Sequence, residues 1–134
     1  MARIARFEDI TAWQKAREMT RLVYRLTQSG EFNRDFGSRD QVRQAAVSIM
    51  SNIAEGFERG GNKQFKRYLV IAKGSVGEVR SQLHVALDSE FLNQSQFDQL
   101  CNLAVEISRL ISGFVRYLDR SEYKGHTSKR PPTP

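Results

Sequence analysis

The chain has 134 residues, with 21 Lys and Arg against 15 Asp and Glu for a formal charge of +6, and is 40% hydrophobic. That is room for one domain burying about two thirds of its unfolded surface, and not for a second. No apolar run approaches the roughly 20 residues of a membrane span, and no hydrophobic block follows Arg3 and Arg6 as a secretory signal requires. The single Cys101 excludes an internal disulfide and a thiolate metal cluster.

A cytoplasmic protein is therefore expected. The positive excess, with a pI near 9.8, favours phosphates or acidic partners, although Lys124, Lys129 and Arg130 place part of it at the C-terminal end.

All three prolines stand at positions 131, 132 and 134, so nothing before them forces a helix break. Asp9 is the predicted N-cap of a first helix over residues 10–28, with Ile10, Trp13, Ala16, Met19, Val23 and Leu26 on its apolar face. Gly30 ends it. Residues 31–37 read as a polar connection whose Phe32 and Phe36 plug the end of the fold. Ser38 to Gln41 matches a capping box, after which Val42, Ala45, Ala46, Ile49, Ile53 and Phe57 recur at three and four as far as the Gly60-Gly61 turn.

Asn62 is the predicted cap of a third helix running to Phe91. Phe65, Leu69, Ala72, Val76, Val79, Leu83 and Ala86 fall on one of its stripes, as expected of a core face. The opposite side is not simply polar, because Val70, Gly74, Gly77, Ser81 and Val85 also recur at helical spacing. An interior glycine costs about 0.8–1 kcal/mol relative to alanine, so close approach of another backbone is expected there. A chain of four helices has little left over to cover that second face, which points to another copy of the protein and makes these five residues the candidate oligomer interface.

Asn93, with Gln96 in the reciprocal position and Leu92 placed to staple against Phe97, opens the last helix. Its apolar face is Phe97, Leu100, Ala104, Ile107, Ile111, Phe114 and Leu118. Four amphipathic helices with short joints predict an all-α, antiparallel up-down-up-down bundle over residues 1–120. Residues 121–134 form a basic tail too poor in apolar side chains to offset the entropy of ordering it, and it is expected to be mobile.

The segment from Ser48 through Met50, Ser51, Asn52, Ile53, Ala54 and Glu55 to Gly56, followed by Ile71, Ala72, Lys73, Gly74, Ser75 and Glu78, resembles the family of large-subunit ribosomal RNA intervening-sequence proteins. A distant likeness extends to the accessory variability determinant proteins of diversity-generating retroelements. Phe7, Trp13, Gln14, Ala16, Tyr24, Gln41, Arg43, Ala45 and Ala46 agree as well, so the resemblance covers residues 7–118. Where family members often carry proline before the Asn-Ile-Ala-Glu-Gly run, this chain has Met50 and Ser51. The resemblance implies an antiparallel four-helix bundle that assembles as a homopentameric ring, with a basic surface contacting nucleic acid or a reverse transcriptase.

The residues themselves argue against an enzyme. Glu55 is a single carboxylate placed to pair with Arg59 or Lys63 rather than to work as an acid/base couple, and Asn52 is placed to bridge backbone. Ser75 reads as a small packing residue or a back-bonded hydroxyl, because neither His84 nor His126 lies at a helical offset from it. Gly60-Gly61-Asn62-Lys63 lacks the context of a phosphate-binding loop. No metal ligand spacing occurs, so neither metal nor cofactor is expected.

The basic residues are the better candidates. Lys66, Lys73 and Arg80 recur every seventh residue along one edge of the third helix, about 10.5 Å per step, widened by Lys63 and Arg67. Arg17, Arg21 and Arg25 form a second stripe on the first helix, where like charges four apart mildly disfavour the helix. Each stripe reads either as a solvated or salt-bridged face or as a surface for nucleic acid, RNA favoured, that repetition in an oligomer strengthens. The alternative is a purely structural or protein-interaction module with an acidic partner.

Overall fold

The helical period in the sequence is realised almost throughout. The computed structural model describes residues 4–122, and among them there are helices and no strand. After a 3-10 turn at Phe7–Asp9 come α1 (Thr11–Leu26), a short α2 (Gly30–Arg34), α3 (Phe36–Arg59), α4 (Asn62–Asp88) and α5 (Gln94–Glu122).

Each long helix packs on two others in the cyclic order α1, α3, α4, α5, which sets α1 and α4 at diagonal corners. Cross-helix bonds fix the antiparallel sense. On α3 and α4, Gln41 meets Gln82 while Ser48 meets Ser75; on α4 and α5, the Asn62 amide reaches the Leu118 carbonyl; on α1 and α5, Lys15 pairs with Glu106. This is the up-down-up-down bundle that the short joints predict.

The predicted α4 core stripe, Phe65 to Ala86, is at most 1% exposed at every position. Val42, Ala45, Ala46, Ile49, Ile53 and Phe57 of α3 and Leu100, Ala104, Ile107, Ile111, Phe114 and Leu118 of α5 complete the core with Ala16, Met19 and Val23 of α1.

The helix ends depart from the sequence reading. Asp9 belongs to the 3-10 turn and faces Arg6, so Ile10 is the N-cap of α1, its own side chain drawn into the core. The connection after α1 contains α2, and only one of its two phenylalanines plugs the bundle end. Phe32 is buried and stacks on Phe91 at 5.2 Å, whereas Phe36 is 65% exposed. Asp35, not Ser38, caps α3: its carboxylate accepts from the Ser38 amide at 3.0 Å, one turn before the predicted box.

Gly61, with φ +78°, precedes α4 in place of Asn62. At α5 the reciprocal box forms as read, with the Gln96 amide donating to Asn93 Oδ1 and the Asn93 amide to Gln96 Oε1. That helix continues two residues past the expected boundary at 120. The rest of the expected mobile tail, with Lys124, His126, Lys129 and Arg130, lies outside the described residues.

Candidate interaction surfaces

The motif residues converge on the α3–α4 seam. Ser48 and Ser75 share a hydrogen bond at 2.9 Å, Ser75 also lies 3.4 Å from the Ile71 carbonyl, and the Asn52 amide donates to the Ser48 carbonyl at 2.8 Å. Asn52 thus bridges backbone one turn upstream within α3. A turn beyond it, Gly56 lets α4 come close: a Cβ there would lie 2.5 Å from Tyr68 Cβ. Glu55 accepts from Arg59 at 2.9 Å and from the Tyr68 hydroxyl at 3.3 Å. The Arg59 bond is the main reason its carboxyl titrates below the ordinary range.

Among the described residues no buried side-chain nitrogen or oxygen lacks a hydrogen-bond partner, and Ser75 is back-bonded as well as small. Burial pushes the Cys101 thiol up, away from the thiolate. Among the described residues no group of three His, Cys, Asp or Glu side chains could hold a metal, and no helix is long and apolar enough to cross a membrane.

The second face of α4 is open within the chain. Val70 is 59% and Val85 47% exposed, Ile71 beside them 45%, and a Cβ on Gly74 or Gly77 would meet nothing within 4 Å. Ser81 is exposed on the same strip. The close approach expected at these glycines does not occur inside the protomer. Gly56 is where two helices of one chain meet closely.

The two basic stripes fare differently. Lys66 is drawn onto α5, its ammonium 2.8 Å from Asp119, which neutralises one step of the heptad. Lys63, Arg67, Lys73 and Arg80 are exposed, as are Arg17, Arg21 and Arg25. Because α1 and α4 occupy diagonal corners, the fold does not bring the stripes together.

It does assemble a surface that sequence reasoning missed. On the α1–α3 side, Arg43 stacks over Tyr24 with its guanidinium 4.5 Å from the ring centre, Arg39 over Phe36 at 4.8 Å and Arg17 over Trp13 at 5.8 Å. Such pairs contribute about 0.5–1 kcal/mol each at exposed sites. The spacings Trp13 to Arg17 and Phe36 to Arg39 put each pair on one helix face and were available in the sequence. The Tyr24–Arg43 pair crosses between helices, and it is set by the Arg43 Nε hydrogen bond to the buried Thr27 hydroxyl at 2.7 Å.

No curated protein matches the chain. Among solved structures it is similar to a crystal structure of a protein of unknown function from the S23 ribosomal protein family of Bacteroides thetaiotaomicron. The two are 22% identical, with a TM-score of 0.71, and the match covers 79% of this chain and 99% of that one, a likeness of fold. The profile of the family described as 23S rRNA-intervening sequence protein matches residues 8–113, from the 3-10 turn into α5, and therefore spans α1, α3, α4, the whole α3–α4 seam and the first two thirds of α5. The chain belongs to the family of 23S rRNA-intervening sequence proteins.

Proposed function

We propose that this protein is a non-enzymatic, self-associating bundle of the cytoplasm that binds nucleic acid, RNA in preference, through its exposed cations. The observation that carries this reading is that Lys63, Arg67, Lys73 and Arg80 on α4 and Arg17, Arg21 and Arg25 on α1 are all exposed. The ion pairs within 4 Å among the described residues run instead through Arg6, Lys15, Arg34, Arg39, Arg59 and Lys66. A merely salt-bridged surface would spend such charges internally, as the protein does with Lys66 and Asp119. Lys66 accordingly drops out of the binding stripe.

Phosphate contacts make affinity fall with salt, with a log-log slope of about −0.7 to −0.9 per neutralised charge. Lys73→Glu combined with Arg80→Glu is expected to weaken RNA binding and to flatten that slope by roughly 1.4–1.8, measured by fluorescence anisotropy across a salt series. Unchanged affinity and slope would remove α4 from the binding surface.

Self-association would cover the strip of Val70, Gly74, Gly77, Ser81 and Val85, to the homopentamer that the family resemblance implies. Gly74→Leu is then expected to keep the helical circular dichroism, since a Cβ at this exposed position meets nothing within 4 Å in its own protomer. The mass by light scattering should fall from near five times 15.4 kDa toward that of a single chain. A wild-type monomer, or a mutant that keeps its full mass, would take the strip out of the interface. The exposed Val70, Ile71 and Val85 beside α4 cations also suit a second reading, in which the strip receives an acidic protein partner such as a reverse transcriptase.

A further inference from the structure

The α1–α3 side combines three features that the basic stripes alone do not explain. It carries aromatic rings in reach of solvent, with Phe36 65% and Tyr24 37% exposed. Guanidinium groups lie over those rings, Arg39 Cζ 4.8 Å from the centre of Phe36 and Arg43 Cζ 4.5 Å from that of Tyr24. Between the helices runs a shallow groove of about 560 Å³, lined by Tyr24 of α1 and by Asp40, Arg43, Gln44, Val47, Ser48 and Ser51 of α3. An exposed phenylalanine contributes nothing to the core, and a guanidinium fixed over a ring has already lost the freedom that binding would otherwise cost it.

Duplex RNA offers its bases edge-on within a stack and is recognised through backbone and 2′-hydroxyl, so exposed rings add nothing to its binding. Unpaired bases present a π-face, and they stack on aromatic side chains and on arginine planes alike. The charge pattern agrees. Asp40 is spent on Arg39 at 2.9 Å and Asp35 on capping α3. Arg43 has a hydroxyl and a ring for partners, and Arg17, over the Trp13 ring, and Arg21 of the adjoining α1 edge are exposed, while the nearby Lys15 is the α1 cation that pairs with Glu18 and Glu106.

We propose that this face is a base-stacking site for single-stranded nucleic acid, in which unpaired bases stack on the Tyr24–Arg43 pair in the groove and on the Phe36–Arg39 pair two turns before it on α3, while Arg17 and Arg21 on the α1 edge hold the phosphates. The inference rests on the nucleic-acid reading above and narrows it to unpaired strands.

The test is anisotropy with three probes: a labelled 12-nucleotide oligoadenylate, the same strand in duplex with oligouridylate, and inorganic polyphosphate as competitor. Phe36→Ala and Tyr24→Leu alter side chains that are not in the core. Each is expected to weaken oligoadenylate binding at least about fivefold, the lower end of what a stacked base supplies. Duplex affinity, polyphosphate affinity and salt slope should stay unchanged. Arg21→Ala should flatten the slope for the single strand by about 0.7.

Oligoadenylate affinity unmoved in both ring variants, or lowered equally for duplex and polyphosphate, would overturn the site. If Lys73→Glu with Arg80→Glu abolishes binding while the ring variants do not, the basic-stripe reading survives and the groove falls. If the wild-type protein binds none of the three probes, both fall.

Discussion

Phe65→Ala is expected to cost about 3–5 kcal/mol, the upper range for truncating a buried aromatic ring, read as a shift of the urea midpoint at unchanged slope. Phe65 is 1% exposed and stands between helices, its ring 5.8 Å from Phe57 of α3 and 5.2 Å from Phe114 of α5, both edge-on. Three rings from three helices cannot collapse into the space that one of them vacates, because each of the others is held by its own backbone. Against the roughly 5–15 kcal/mol of a whole domain, that loss is large enough to leave part of the population unfolded at ordinary temperature. A loss under about 1 kcal/mol would mean that the centre of the bundle repacks freely, contrary to this arrangement.

Gly56→Ala should be the most damaging single methyl in the protein. The new Cβ would stand 2.5 Å from Tyr68 Cβ and 3.3 Å from Phe65 Cδ1, and Tyr68 Cβ is fixed to the α4 backbone. Relief requires α3 and α4 to move apart, which stretches the Ser48–Ser75 bond and the Tyr68 contact with Glu55. Overpacking of this kind costs about 1–3 kcal/mol, and here it must also outweigh the roughly 0.8–1 kcal/mol that alanine gains over glycine in a helix. Because the 2.5 Å clash is with an atom fixed to backbone, the cost falls at the upper end of that range, and we expect a net loss of about 2 kcal/mol by thermal or chemical denaturation. A Gly56→Ala protein as stable as the wild type would show that the seam is looser than its geometry.

These two residues mark the limits of what the sequence reveals. Phe65 was legible because burial repeats: a stripe of apolar residues at three and four predicts the α4 core face whatever it packs against. The Asn93–Gln96 box was legible because both partners lie within one turn. Gly56 was not, because glycines look alike in a pattern and only the register across the Gly60-Gly61 turn decides which one meets another helix. Gly74 and Gly77 carried the same signal and face open space within the protomer.

The cap at Asp35 was not legible because residues 31–37 read as a polar connection ending at Gly37, whereas α3 begins at Phe36 and runs through Gly37 without a positive φ. Lys66 looked like its heptad neighbours, and only the position of Asp119 on α5 separates it from them. The arginine–ring surface was half visible. Two of its pairs are local in the chain, and the third depends on Thr27 and Arg43 meeting across the α1–α3 interface.

Gly60 and Gly61, both at positive φ, join α3 and α4 with almost no chain between them, and this seam is the most extensive of the bundle. The contact of α1 with α5, where Lys15 reaches Glu106 at 3.5 Å, instead joins opposite ends of the sequence and is the slightest of the four long-helix contacts. The entropy of closing a loop grows with its length. The motif-bearing hairpin is therefore the cheapest closure this topology contains, and the α1–α5 contact the costliest, whereas the arginine–ring surface rests on the short-range α1–α3 contact, with Thr27 and Arg43 16 residues apart.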